Sequence, residues 1–139
     1  MAGLRGPRRL VWTLTLAYLG FVALMTLRPA VPGQPGWVGR ILLWLSGWPP
    51  TGWLGLSWLE FIANVVLFVP FGLLFAVLLD RRRWWLVLVL AAATTSAIEL
   101  AQLVIPNRFS DPRDLVANTG GAALGLLVVV LARRSGPVR

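Results

Sequence analysis

The sequence predicts an all-α polytopic membrane protein: four transmembrane helices plus a short interfacial helix in the first outer loop. Three observations carry that expectation. Of 139 residues, 58% are apolar and only 13% charged, against about half apolar and about a quarter charged in a soluble domain. Mean hydropathy is +0.77, and a chain this short buries too little surface to hide such an excess in a water-soluble core. The apolar residues are also gathered into four runs, 10–27, 58–79, 84–105 and 115–132, each within the roughly 17–25 residues that one helix needs to cross a bilayer. The whole chain, 1–139, reads as a single membrane domain without internal repeats or low-complexity segments.

The run 10–27 follows Arg8 and Arg9, as the apolar region of a signal peptide would. It is long for that role and ends on Arg28 and Pro29, where cleavage needs small residues, so a retained span is the better reading. A twin-arginine export signal is weaker still. The outer loop 28–57 is rich in Pro and Gly and carries Trp37, Trp44, Trp48 and Trp53. Its apolar stretch 38–48 is too short to cross, and tryptophan favours the headgroup level, which predicts a helix lying on the outer interface. Anchoring explains such a helix; a lid over a site is the sharper alternative. Runs 58–79 and 84–105 are joined by a turn too short for anything but a tight hairpin. Pro70, followed by Phe71 and Gly72, lies in mid-span, where a missing N–H bends a helix.

Arginine placement orients the hairpins. Arg5, Arg8, Arg9, Arg81, Arg82, Arg83, Arg133, Arg134 and Arg139 fall on one side, against Arg28, Arg40, Arg108 and Arg113 on the other. Nine against four puts both termini in the cytoplasm. The net charge of +8 is carried by arginine alone, with neither Lys nor His. These arginines form short clusters between apolar runs with no aromatic stacking platform among them, which argues against nucleic acid as a partner. Without Cys or His there are no disulfides, thiolate nucleophiles or His-based triads, no Cys/His metal site and no haem to expect. Any catalysis falls to carboxylates, hydroxyls, amides and arginines.

An ionisable group at a helix centre costs about 2.5–3.5 kcal/mol on insertion, so such groups usually face the bundle interior. Here they share one depth. Glu60 lies near the outer end of the second run with Asn64 one turn deeper; Glu99 and Gln102 close the third; Asp114 and Asn118 open the fourth. At about 1.5 Å per residue all six occupy the outer third of the membrane. Each pair is three or four residues apart and so shares a helix face. The Asp114–Asn118 face continues through Gly121 and Gly125, small residues of the kind that let membrane helices approach closely. Glu99 stacks above Thr95 and Ala92, another small-residue face.

Plain structural roles compete with function. Asp111, Pro112 and Asp114 make a good helix start, with an acid as cap, proline at the first position and an acid at the third. Asn64, Gln102 and Asn118 suit interhelical hydrogen bonding, and Arg28 suits the membrane edge. Glu60 and Glu99 favour function more strongly, because carboxyls are poor glue in lipid.

These residues sit in three stretches: EFIANVVLFVPFG (60–72), SAIELAQ (96–102) and RFSDPRDLVANTG (108–120). Their content and order resemble the VanZ-like family of small bacterial membrane proteins. The resemblance covers 60–125, while the first span and the Trp-rich loop match only in kind. It implies a multi-pass protein of the cell membrane linked to the cell envelope and to glycopeptide antibiotics, notably teicoplanin resistance. It supplies no molecular mechanism.

Three functions fit the residues. In a binding module, Asn64, Gln102, Arg108, Asp111 and Asn118, with the carboxyls, hold a glycopeptide, a lipid-linked cell-wall intermediate or a lipid headgroup. In an enzyme, Glu60, Glu99 and Asp114 are the catalytic candidates, acting as an acid/base pair with support, while Arg108 or Arg113 steadies a phosphate. Alternatively Glu60, Glu99, Asp111 and Asp114 share a Mg²⁺ or Ca²⁺ ion, since hard cations take oxygen ligands. The third function is a polar lock coupling the helices or a partner protein. A transport path is disfavoured, because the cytoplasmic half is apolar. Binding or acting on an envelope molecule is the favoured expectation.

Overall fold

The computed structural model describes residues 5–29, 37–52, 54–106 and 111–134. Trp53, Arg108, Ser110 and Arg139 lie outside them. The first apolar run becomes α1 (Arg5–Thr26) and the short apolar stretch 38–48 becomes α2 (Trp37–Ser46). The central hairpin consists of α3 (Leu56–Leu78), a 3-10 turn (Arg81–Arg83) and α4 (Trp85–Gln102), followed by α5 (Pro112–Arg134). The four long helices are each apolar and long enough to cross a membrane. The all-α, four-span architecture is therefore the one that the sequence predicts.

α1 starts at Arg5, ahead of its apolar run, and two other helix ends differ from expectation for identifiable reasons. α4 stops at Gln102 rather than 105, because the N–H groups of Val104 and Ile105 turn back three residues, to the Ala101 and Gln102 carbonyls. Pro106 follows, and the residue before a proline avoids helical geometry. Leu103 and Val104 are apolar yet project from this turn. α5 starts at Pro112, ahead of its apolar run, because Asp111 caps it: the Arg113 N–H donates to Asp111 Oδ1 at 2.9 Å.

The bundle is organised by α3 against α5, its most extensive pairing. Glycine is the cause. A Cβ at Gly121 would stand 2.1 Å from the Val65 carbonyl oxygen, and one at Gly125 2.1 Å from that of Val69. From the other side, a Cβ at Gly72 would stand 2.0 Å from the Ala122 carbonyl oxygen. The two backbones touch, as small residues permit in membranes. Phe68, Phe71, Ala91, Ala122 and Val22 form the buried centre beside this seam. Large apolar side chains such as Leu16, Val66, Leu100 and Val116 point outward, as lipid contact requires.

α1 joins through a polar contact in the apolar region. Pro70 lacks the N–H that would close one rung of the α3 ladder. One residue on, Tyr18 of α1 donates its hydroxyl to the Leu67 carbonyl at 2.7 Å, and the Phe71 N–H points at the same hydroxyl. Phe71 and Leu67 are ordinary partners four residues apart, so the hydroxyl stands at their rung. A neighbouring helix thus adds a hydrogen bond to the α3 backbone one rung from the proline, and α3 continues through Pro70. Tyr18→Phe should cost about 0.5–1.5 kcal/mol by removing one hydrogen bond between α1 and α3. Thermal unfolding in detergent measures it; an unchanged midpoint would mean that α1 docks through apolar contacts alone.

Candidate functional site

The α3–α5 seam brings Asn64 against Asp114, whose Oδ1 accepts from Asn64 Nδ2 at 2.6 Å. Glu99, Asp111 and Glu60 are near enough for their charges to act on the Asp114 carboxyl, Glu99 most strongly. Carboxyls from α3, α4 and the start of α5 therefore share one neighbourhood. Glu99 and Asp114 are half-buried, whereas Asp111 and Glu60 are exposed. Glu60 keeps the helix face it was expected to share with Asn64, but its side chain is exposed. Glu60 lies about 20° round the helix from buried Phe71 and about 40° from Asn64, but it stands only four residues from the start of α3 at Leu56. Among the described residues no three acidic side chains converge closely enough to hold a metal ion as they stand.

The amides divide their roles. Gln102 Nε2 donates to the Thr26 carbonyl at 3.0 Å, tying the end of α4 to the end of α1. Its Oε1 is buried with no partner. Asn118 is only 4% exposed, and its Oδ1 is also unpaired. Asp111 is occupied as the cap of α5, Arg113 is exposed, and Arg108 lies outside the described residues.

Two threonines complete the set. Thr13, Thr15 and Thr26 in α1 each donate to the carbonyl four residues back. Thr95 and Thr119 do not: their Oγ1 atoms are buried without a partner. Thr95, Gln102, Asn118 and Thr119 all lie within about 11 Å of the α4 and α5 ends nearest the 103–111 connection. Buried polar groups are otherwise almost always hydrogen-bonded. Thr95 was visible in the sequence one turn below Glu99; Thr119 follows Asn118 with no periodic signal of its own.

Thr95→Val keeps the shape and removes an unpaired hydroxyl, so it should raise stability in detergent by about 1 kcal/mol. A fall in the unfolding midpoint of similar size would show that the hydroxyl holds the helices together.

Fold and site together define a four-span membrane protein whose carboxyls and buried amides gather toward one end of the bundle. The family model VanZ/LLP1 matches residues 15–133. The chain belongs to the VanZ/LLP1 family. The match takes in most of α1 and the Trp-rich loop as well as the three motif stretches, and membership links the protein at family level to antibiotic resistance. No curated protein and no solved structure matches the chain.

Proposed function

We propose that the polar cluster binds a cell-envelope molecule on the outer side of the membrane, either a glycopeptide antibiotic such as teicoplanin or a lipid-linked cell-wall intermediate. The observation that supports this reading is the set of four buried, unpaired polar atoms on Thr95, Gln102, Asn118 and Thr119. A pure lock pairs its buried groups with one another, whereas a half-satisfied network is costly unless something else completes it. Hydroxyls and amides of a glycan or peptide supply the matching donors and acceptors. In this reading Asn64 holds Asp114 in place, Glu99 flanks it, and the exposed Glu60 stands at the mouth.

The second reading is acid/base chemistry on the same molecule, with the half-buried Glu99 and Asp114 as the pair. A Mg²⁺ or Ca²⁺ ion belongs to that reading and would have to draw the carboxyls closer than they stand.

The outward orientation rests on the arginine split. The described residues contain no cysteine, so Arg82→Cys and Ser110→Cys can be labelled one at a time with a membrane-impermeant reagent in intact cells. Labelling at 110 and not at 82 is expected, and the reverse would turn the cluster inward. The binding reading is tested by teicoplanin susceptibility of cells carrying the wild-type chain or Asp114→Asn. Raised tolerance that the variant loses, while still reaching the membrane, is the expected result. Unaltered susceptibility, together with no binding of teicoplanin or lipid-linked intermediate by the purified protein, would contradict it.

A further inference from the structure

The opposite end of the bundle holds a second feature, a cavity of about 490 Å³ between the start of α1, the end of α3, the 3-10 turn and the end of α5. Three guanidiniums from three separate elements line it: Arg8 of α1, Arg81 of the turn and Arg133 of α5. Asp80 is the lone acid on that lining, so the excess there is two positive charges. Val11, Val77, Leu78 and Leu79 form the rest of the wall. Two of the arginines are held in place. Trp84 donates its indole N–H to the Ala76 carbonyl at 3.3 Å, fixing the ring. Arg81 and Arg133 lie over that ring, with guanidinium carbons 5.4 and 5.5 Å from its centre, within cation–π range.

We propose that this cavity seats the phosphate of an anionic membrane phospholipid, with Arg81 and Arg133 as its principal ligands and Arg8 closing the third side. A planar guanidinium matches phosphate oxygens with two parallel hydrogen bonds. Basic pockets between membrane helices at the arginine-rich end suit anionic headgroups. The apolar wall suits the glycerol and first acyl carbons. Orientation by positive charge asks only that arginines flank the spans. It does not ask that three of them converge on one cavity while Arg9, Arg82, Arg83 and Arg134 stay off its lining, as they do.

That division supplies the control. The full chain is reconstituted in nanodiscs containing phosphatidylglycerol and phosphatidylcholine, extracted in mild detergent, and its co-purifying lipid is measured by mass spectrometry. The wild-type protein should retain phosphatidylglycerol at least tenfold over phosphatidylcholine. Arg81→Gln with Arg133→Gln should lose most of that preference, whereas Arg82→Gln with Arg134→Gln, which removes the same charge, should keep it within about twofold. Equal loss in both pairs would overturn the proposal in favour of diffuse attraction. Inorganic phosphate at millimolar concentration should leave the retained lipid in place; complete displacement would assign the site to soluble phosphate groups instead. Unfolding midpoints confirm that both double variants are folded. Should the Arg81/Arg133 variant fail to fold, Arg81→Lys decides the matter: it keeps the charge but not the fork, and undiminished retention there would count against a phosphate clamp.

Discussion

Gly125→Leu is expected to force α3 away from α5 and to leave little folded protein. At this position an added Cβ meets backbone alone: the Val69 carbonyl oxygen at 2.1 Å, the Leu73 nitrogen at 2.8 Å and the Gly72 Cα at 3.0 Å. No flexible side chain is there to yield. Overpacking a core usually costs about 1–3 kcal/mol, occasionally more, and a clash between two helix backbones belongs at the upper end, about 3 kcal/mol or above. Gly121→Leu should act alike, its Cβ facing the Val65 carbonyl oxygen. Gly120 is the control, since nothing lies within 4 Å of a Cβ built there. Thermal unfolding of the three variants in one detergent gives the comparison. Equal midpoints would mean that this face of α5 meets lipid and that the polar cluster is not assembled as described.

The second large effect concerns the carboxyls. Glu99→Gln and Asp114→Asn preserve shape and most hydrogen bonding while removing a charge that is costly at this depth. Asp114→Asn can still accept from Asn64 through its own carbonyl oxygen. Stability should hold or rise, while antibiotic tolerance or ligand binding falls by at least about tenfold, the dissociation typical of groups that sacrifice stability for function. Glu60→Gln should act in the same direction but less strongly, because Glu60 is exposed. Wild-type function in folded Glu99→Gln and Asp114→Asn proteins would remove the carboxyls from the site. Unfolding of both would favour the polar lock.

Much of this arrangement was legible in the sequence. Run length and composition gave the four spans, and the Asp111–Pro112 start gave the cap of α5. The common depth of Asn64 and Asp114 was legible, because spacing and hairpin direction fix depth, but their hydrogen bond was not. Spacing does not fix which face meets a neighbour. That was decided by Gly72, Gly121 and Gly125, whose contact sets the rotation of α3 against α5. The end of α4 was also hidden, since Leu103, Val104 and Ile105 are as apolar in a tight turn as in a helix. The role of α1 was the largest gap. Tyr18 meets Leu67 and Gln102 meets Thr26 across long stretches of chain, and no periodicity records such pairs. The available signal was chemical: one tyrosine in the whole chain, within a span, and one mid-span proline.

The central claim is that the unpaired polar atoms of α4 and α5 exist for a ligand rather than for the fold. It is tested most directly by unfolding the purified wild-type protein and a Thr95→Val, Asn118→Leu double variant, each with and without lipid-linked cell-wall intermediate or teicoplanin. A ligand at about 100 times its Kd adds about 2.7 kcal/mol to the stability of the protein that binds it. The wild-type midpoint should rise with one of the two ligands. The double variant should start from a higher midpoint and show no further rise. A double variant that melts below the wild type, with neither ligand moving the wild-type midpoint, would contradict the claim.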